Sequence, residues 1–168
     1  MSALEIERKW LIRRPDETML AAQPCASVSH ICQTYLHDLP GLSRRVRART
    51  TGGITVYTQT IKRRIDHMTA DENECVISHA EYLALLKEAD PACRPIEKTR
   101  WCIPFSAHTL EIDLYPFWHT QAVMEIELPS PDTPVSLPDW LTVLREVTGN
   151  HAYSNHSLAV SPVPEDSV

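Results

Sequence analysis

The pentapeptide Glu5-Ile6-Glu7-Arg8-Lys9 places two carboxylates and an ammonium at every second position. In an extended strand, alternate side chains share a face. Glu5, Glu7 and Lys9 therefore project together, and Leu4, Ile6, Arg8 and Trp10 project the other way. The same construction recurs along the chain. Arg45, Arg47 and Arg49 share a face, as do Lys62 with Arg64 and Lys98 with Arg100. So do the acidic pairs Glu72 with Glu74, Glu111 with Asp113, and Glu125 with Glu127. Grouped carboxylates suit a hard divalent cation, Mg2+ or Mn2+. Grouped guanidinium and ammonium groups suit phosphate oxygens, which arginine forks bind two at a time. The chemistry these sets could do together is metal-assisted attack of water on a phosphoryl group. Lys9, beside two carboxylates, is a candidate to orient that water, or to act as its base if its pKa is lowered; Tyr35 is a second candidate. The chain has four glycines and no glycine-rich phosphate-binding motif, so side-chain cations would have to do the holding.

Strands must position these groups. Alternating patterns predict eight of them, at residues 4–12, 31–37, 45–49, 54–64, 72–77, 96–103, 109–115 and 122–128. Gly52-Gly53 marks a hairpin. Helices are few: a short one near 15–20, and one at 78–89 opened by a Ser78/Glu81 capping box. Another is predicted at 139–148, with Trp140, Leu141, Leu144 and Val147 on one side and a stop at Gly149, and a last short one at 153–160. Eight strands with few helices give an α+β chain built as an antiparallel β-barrel. Two arrangements are open. In one, the apolar faces fill the barrel and the charges face water. Alternatively, the lumen is a polar, charged tunnel and the apolar faces pack outward against the helices, each of which has one apolar side in need of a partner. Like charges adjacent on a strand repel, and a charged lumen is costly unless it binds something with many charges of its own.

The whole chain sets limits. Its 168 residues fit one domain over 1–160 with a flexible tail at 161–168, and 43% hydrophobic content supports a core. A formal net charge of -6 argues against general nucleic-acid binding. No apolar run approaches the ~18 residues of a membrane span. The N-terminus turns acidic within five residues and does not read as a signal peptide, so the expectation is a cytoplasmic protein. Five scattered cysteines lack a C-x-x-C spacing and read as reduced thiols. Eight histidines show no metal-ligand spacing. Trp101, Trp118 and Trp140 read as core residues, and Arg8, Arg45 and Glu97 as ordinary surface charges.

Taken in order, these motifs resemble the CYTH domain, or triphosphate tunnel metalloenzyme, family. The opening matches its E-x-E-x-K signature. The likeness continues through Gln33-Thr34-Tyr35-Leu36, Arg47-Ala48-Arg49, Thr60-Ile61-Lys62, Glu72-Asn73-Glu74 and Ile96-Glu97-Lys98-Thr99-Arg100. It ends with Glu111-Ile112-Asp113, Glu125-Ile126-Glu127 and Tyr153-Ser154-Asn155. The resemblance implies an eight-stranded tunnel that binds a small-molecule triphosphate and needs Mg2+ or Mn2+. By position it implies phosphate contacts from Arg47, Arg49, Lys62, Lys98 and Arg100. It implies metal ligation by Glu5, Glu7, Asp113, Glu125 and Glu127, with Glu72 and Glu74 at a second metal. A short chain of this kind most resembles the inorganic triphosphatases, which hydrolyse tripolyphosphate to pyrophosphate and phosphate. Class IV adenylate cyclase, thiamine triphosphatase and RNA 5′-triphosphatase activities are the alternatives within the family, and a polyphosphate- or nucleotide-binding module without turnover is the alternative outside enzymes. A homodimer is compatible with all of these. One departure stands out: Ala152 and Ser154 sit where relatives often carry basic residues, which removes the basis for expecting substrate contact from the last helix.

Overall fold

The computed structural model describes residues 2–166. Met1, at the start of the expected domain, and Ser167 and Val168, at the end of the expected tail, lie outside the described residues. Eight strands close into an antiparallel barrel: β1 (Ser2–Arg13), β2 (Ser27–Tyr35), β3 (Ser43–Thr51), β4 (Ile54–Arg64), β5 (Thr69–Ile77), β6 (Ile96–Phe105), β7 (His108–Leu114) and β8 (Gln121–Glu127). Around the barrel the order is β1-β5-β4-β3-β2-β6-β7-β8, and β8 returns to β1. The β3–β4 hairpin turns on Gly52 and Gly53 at φ +56° and +81°, the left-handed pair that a tight two-residue hairpin demands.

Register decides which face is inside. Lys9 lies opposite Glu125, Glu7 opposite Glu127, Lys62 opposite Glu72 and Arg100 opposite Asp113. Cross-strand partners share a face, so every charged row turns into the lumen. The apolar rows turn out. Trp10, Ile12, Trp101, Ile103, Leu110, Ile112, Met124 and Ile126 form one outer core with Leu20. Each of the fully buried aliphatic side chains there contributes about 1.5–3 kcal/mol of burial. Helix α1 (Glu17–Ala21), N-capped by Asp16, supplies Leu20, while Val135, Leu137, Trp140 and Leu141 of the proline-rich loop pack on the same surface. A second patch, Leu36 and Val46, is covered by Tyr82 of α2 (His79–Leu85), whose Ser78/Glu81 capping box is formed. A third closes one end of the barrel, where Leu11, Tyr35, Tyr115, Trp118 and Val123 meet Tyr153 and Leu158 around α3 (Asn155–Val160).

The helix expected at 139–148 is absent. Leu141 lies in a turn, its N–H donating to the Pro138 carbonyl at 3.1 Å, and Val143–Glu146 form a ninth strand, β9. Its partner explains it. Strand β1 pairs with β5 only through Ile6, which leaves its edge free from there on, and β9 takes up Trp10 to Ile12 on that edge. Unpaired backbone on a buried strand costs more than a short helix gains. Strands β2 and β5 begin earlier than the alternation suggests, at Ser27 and Thr69. The segment expected as a tail is engaged: Trp118 Nε1 donates to the Val163 carbonyl at 2.8 Å, the Thr120 N–H to the Glu165 carboxylate at 2.6 Å, and Arg145 pairs with Asp166.

Candidate active site in the barrel lumen

The lumen holds a cavity of about 400 Å³. Twelve of the fourteen residues expected at the site line it: Lys9, Tyr35, Arg47, Arg49, Lys62, Lys98 and Arg100, with Glu5, Glu7, Glu72, Glu125 and Glu127. Asp113 and Glu74 do not. Asp113 is fully buried behind the wall, where Arg100 Nε and Nη2 each donate to it at 2.7 Å and Lys98 Nζ does so at 2.7 Å. Glu74 accepts from Arg47 at 2.9 Å and from Thr60 at 2.8 Å. Asp113 thus stands behind two cations, both of its oxygens taken by them, whereas Glu74 is exposed and uses one oxygen, Oε2, for Arg47 and Thr60.

Arg45 corrects the sequence reading. It is no surface charge: it lines the cavity, 3.7 Å from Glu72, with its guanidinium beside Tyr35. Arg8 points outward to Glu146 at 2.8 Å, as expected. The last helix is the second correction. His151, Ser154, Asn155, His156 and Ser157 all line the lumen, despite the missing basic residues. Asn155 Oδ1 accepts from Tyr115 Oη at 2.6 Å and from Lys98 Nζ at 3.4 Å. The His156 ring stands edge-on to Tyr35 at 4.9 Å. Arg64, Thr60, Ser43, Asp38 and Glu111 complete the wall. The alternation in β4 and β7 already pointed to Arg64 and Glu111. Ser154 and Asn155 belong to the Tyr153-Ser154-Asn155 motif, but His151, His156 and Ser157 carried no sequence signal, because their placement depends on how the end of the chain folds back over the barrel.

The electrostatics divide the lumen. On the acidic side, burial and the neighbouring Glu125 push the Glu7 carboxyl up to about 8. Burial also works against the Glu125 carboxylate, but Lys9, Arg100 and Lys98, with a hydrogen bond from Glu7, hold its pKa well below the usual range. The two glutamates thus share one proton. Burial disfavours the Lys9 ammonium, yet Glu125, 3.4 Å away, and Glu7 outweigh it, so its pKa is raised. Lys9 is therefore held charged, suited to orienting a water or a phosphoryl oxygen and unsuited to act as a base. Burial raises the Tyr35 phenol, which Arg45 and Lys9 only partly oppose. On the basic side, Lys98 is lowered to about 8 by burial, against the pull of Asp113. Arg47 is lowered by burial and by Arg45. Arg49 donates to Ser29 Oγ at 3.0 Å and to Cys102 Sγ at 3.6 Å, and among the described residues it has no carboxylate partner. These crowded cations call for an anion that enters the lumen.

A divalent cation can be tested against the acidic side. No cluster of three or more ready-made metal-ligand side chains exists among the described residues. The oxygens are nevertheless of the right kind. Glu7 and Glu125 are forced to share a proton that a cation could displace, Glu125 Oε1 is buried with the Lys9 ammonium at 3.4 Å, and Glu127 has no ion-pair partner among the described residues. Mg2+ commonly binds through one or two carboxylates plus substrate phosphates rather than in an all-protein cage. The donor set fits a metal completed by phosphate oxygens.

No protein-family model and no curated protein matches the sequence. Solved structures do. The chain is similar to the inorganic triphosphatase NE1496, with 26% identity and a TM-score of 0.59 over 95% of this chain and 97% of that one. It shares its fold with the PH1819 protein of Pyrococcus horikoshii OT3, at 20% identity and a TM-score of 0.57 over 76% and 80%. It also shares it with HpAC1 of Hippeastrum, a putative adenylyl cyclase described as having a dominant triphosphatase activity, at 16% identity and a TM-score of 0.51 over 76% and 80%.

Proposed function

On the premise that this chain has the CYTH-type barrel of triphosphate-handling proteins, we propose that it hydrolyses inorganic triphosphate to pyrophosphate and orthophosphate with the help of a divalent cation. The observation that carries the reading is the lumen itself: a cavity of about 400 Å³ with cations on one side and clustered glutamates on the other. Inorganic triphosphate fits better than a nucleotide. Tyr35 is the one Phe, Tyr or Trp among the cavity-lining residues, and at 4% exposure it offers little ring surface for a base to stack on.

Arg47, Arg49, Lys62, Lys98 and Arg100 hold the phosphate oxygens, joined by Arg45. Asp113 and Glu74 fix the directions of Lys98, Arg100 and Arg47, keeping the donors pre-aimed. Glu5, Glu7, Glu125 and Glu127 would hold the cation, with Glu72 next to Lys62 as a further carboxylate. A bound Mg2+ or Mn2+ supplies charge neutralisation at the phosphoryl oxygens and polarises the terminal phosphorus. Lys9, kept as an ammonium, orients the reacting group.

The test is phosphate release from tripolyphosphate, ATP and thiamine triphosphate in parallel, with Mg2+ or Mn2+. Fastest release from tripolyphosphate is the expected result. Conversion of ATP to cyclic AMP, or tight tripolyphosphate binding with no product, would overturn the reading.

A further inference from the structure

The barrel wall has a gap beside the acidic side of the lumen. On one edge β1 pairs with β5 up to Ile6 and with β9 from Trp10. Between them the Glu7 N–H reaches the Met68 carbonyl at 3.1 Å, and the Lys9 N–H reaches Thr148 Oγ1 at 3.0 Å. A separate small cavity of about 20 Å³ lies in this gap. It shares Glu7, Lys9, Arg64, His151 and Ser154 with the lumen, and its outer wall is His67, Thr148, Gly149 and Asn150. The wall is tight. A Cβ on Gly149 would stand 2.8 Å from His67 Cβ.

A cavity needs roughly 10–15 Å³ and two to four polar partners to hold a water. This one has the room for one molecule, and its lining is polar apart from Val147 and Gly149. It is far too small for a phosphate. We propose that this side port, between β1, the turn around His67 and the segment 147–151, admits and seats the water that attacks the substrate. The inference rests on the triphosphatase reading, and it gives the lumen a direction. The terminal phosphoryl group lies at the Glu7 and Lys9 end, and the leaving pyrophosphate lies among Arg47, Arg49, Lys98 and Arg100. In the step, the water oxygen bonds to the terminal phosphorus, and the bridging P–O bond breaks with its electron pair going to pyrophosphate. One hydrogen of the water stays on the new orthophosphate, and the other is taken up by the departing pyrophosphate oxygen. His151 faces both the port and the lumen, which makes it the positioning residue for that water.

The test fills the port. His151→Phe and His67→Phe add bulk and remove polar partners at two exposed positions, so neither change disturbs a core. Each is expected to lower kcat for tripolyphosphate by about tenfold or more with little change in KM, the signature of a misplaced nucleophile. His151→Gln, which keeps a polar end, is expected to restore most of the rate. Plug variants that turn over like the natural chain, or that lose only KM, overturn the port while leaving the triphosphatase reading standing. A natural chain that releases no phosphate takes both down.

Discussion

Removing Asp113 tests the buried framework of the lumen. Its carboxylate takes three hydrogen bonds of 2.7 Å, two from Arg100 and one from Lys98, and it is wholly inaccessible to solvent. Asp113→Ala leaves two buried cations facing each other without their acid, although Glu111 still holds Arg100 Nη1 at 2.7 Å. Breaking a buried ion pair by deleting one partner costs about 3–5 kcal/mol. For a chain of 168 residues, each kcal/mol corresponds to about 2–4 °C in Tm. The expected loss is therefore about 10 °C in thermal unfolding without ligand. Added tripolyphosphate should recover more of it in the variant than in the natural chain, because the anion takes the place of the missing charge. Asp113→Asn, which keeps an acceptor, should lose less. A fall in Tm below about 3 °C for Asp113→Ala would refute the reasoning, since the cations would then be compensated by something other than Asp113.

Three further outcomes follow. Arg49→Ala should leave stability within about 1 kcal/mol, there being no carboxylate partner to strand. It should weaken tripolyphosphate binding roughly 10- to 100-fold, as expected for hydrogen bonds to a charged group, read by calorimetry. The metal-free protein should lose stability as pH rises from about 4.5 to 8: the folded Glu7 carboxyl is raised to about 8, so the native state binds the extra proton below that pH and must give it up above it. Mg2+ or Mn2+ should accordingly stabilise more at high pH and release a proton on binding, seen as buffer-dependent binding heat; a flat Tm profile with EDTA would contradict this. Gly149→Ala should lower stability by about 1–2 kcal/mol in denaturant titration, because a side chain there meets a left-handed backbone and the His67 Cβ.

Much of this was legible in the chain, for a definite reason. Same-sign charges at alternate positions, as in Arg45-Val46-Arg47-Ala48-Arg49, make poor solvated faces and good linings, and the register places them in the lumen. What stayed hidden was non-local. Trp140, Leu141, Leu144 and Val147 have helical spacing, yet the free edge of β1, more than a hundred residues earlier, draws 143–146 into a strand. Arg45 is in step with Arg47 and Arg49 and so carries the lumen signal, but its neighbours there, Tyr35 and Glu72, come from other strands and are not visible around it in sequence. His151 and His156 have no motif spacing. They reach the lumen only because Tyr153 and Leu158 anchor the end of the chain in the apolar cluster that closes the barrel.

The barrel wears its hydrophobic core on the outside, and this separates two jobs that most folds combine. Of the lumen-lining residues Tyr35 is the one that also belongs to an apolar cluster, so the charged positions can be changed without repacking the shell. The reverse holds for the peripheral segments. Helices α1 and α2 and the proline-rich loop cover barrel walls that would otherwise be bare hydrocarbon, so trimming any of them should provoke clumping of the chain long before it alters what the tunnel accepts.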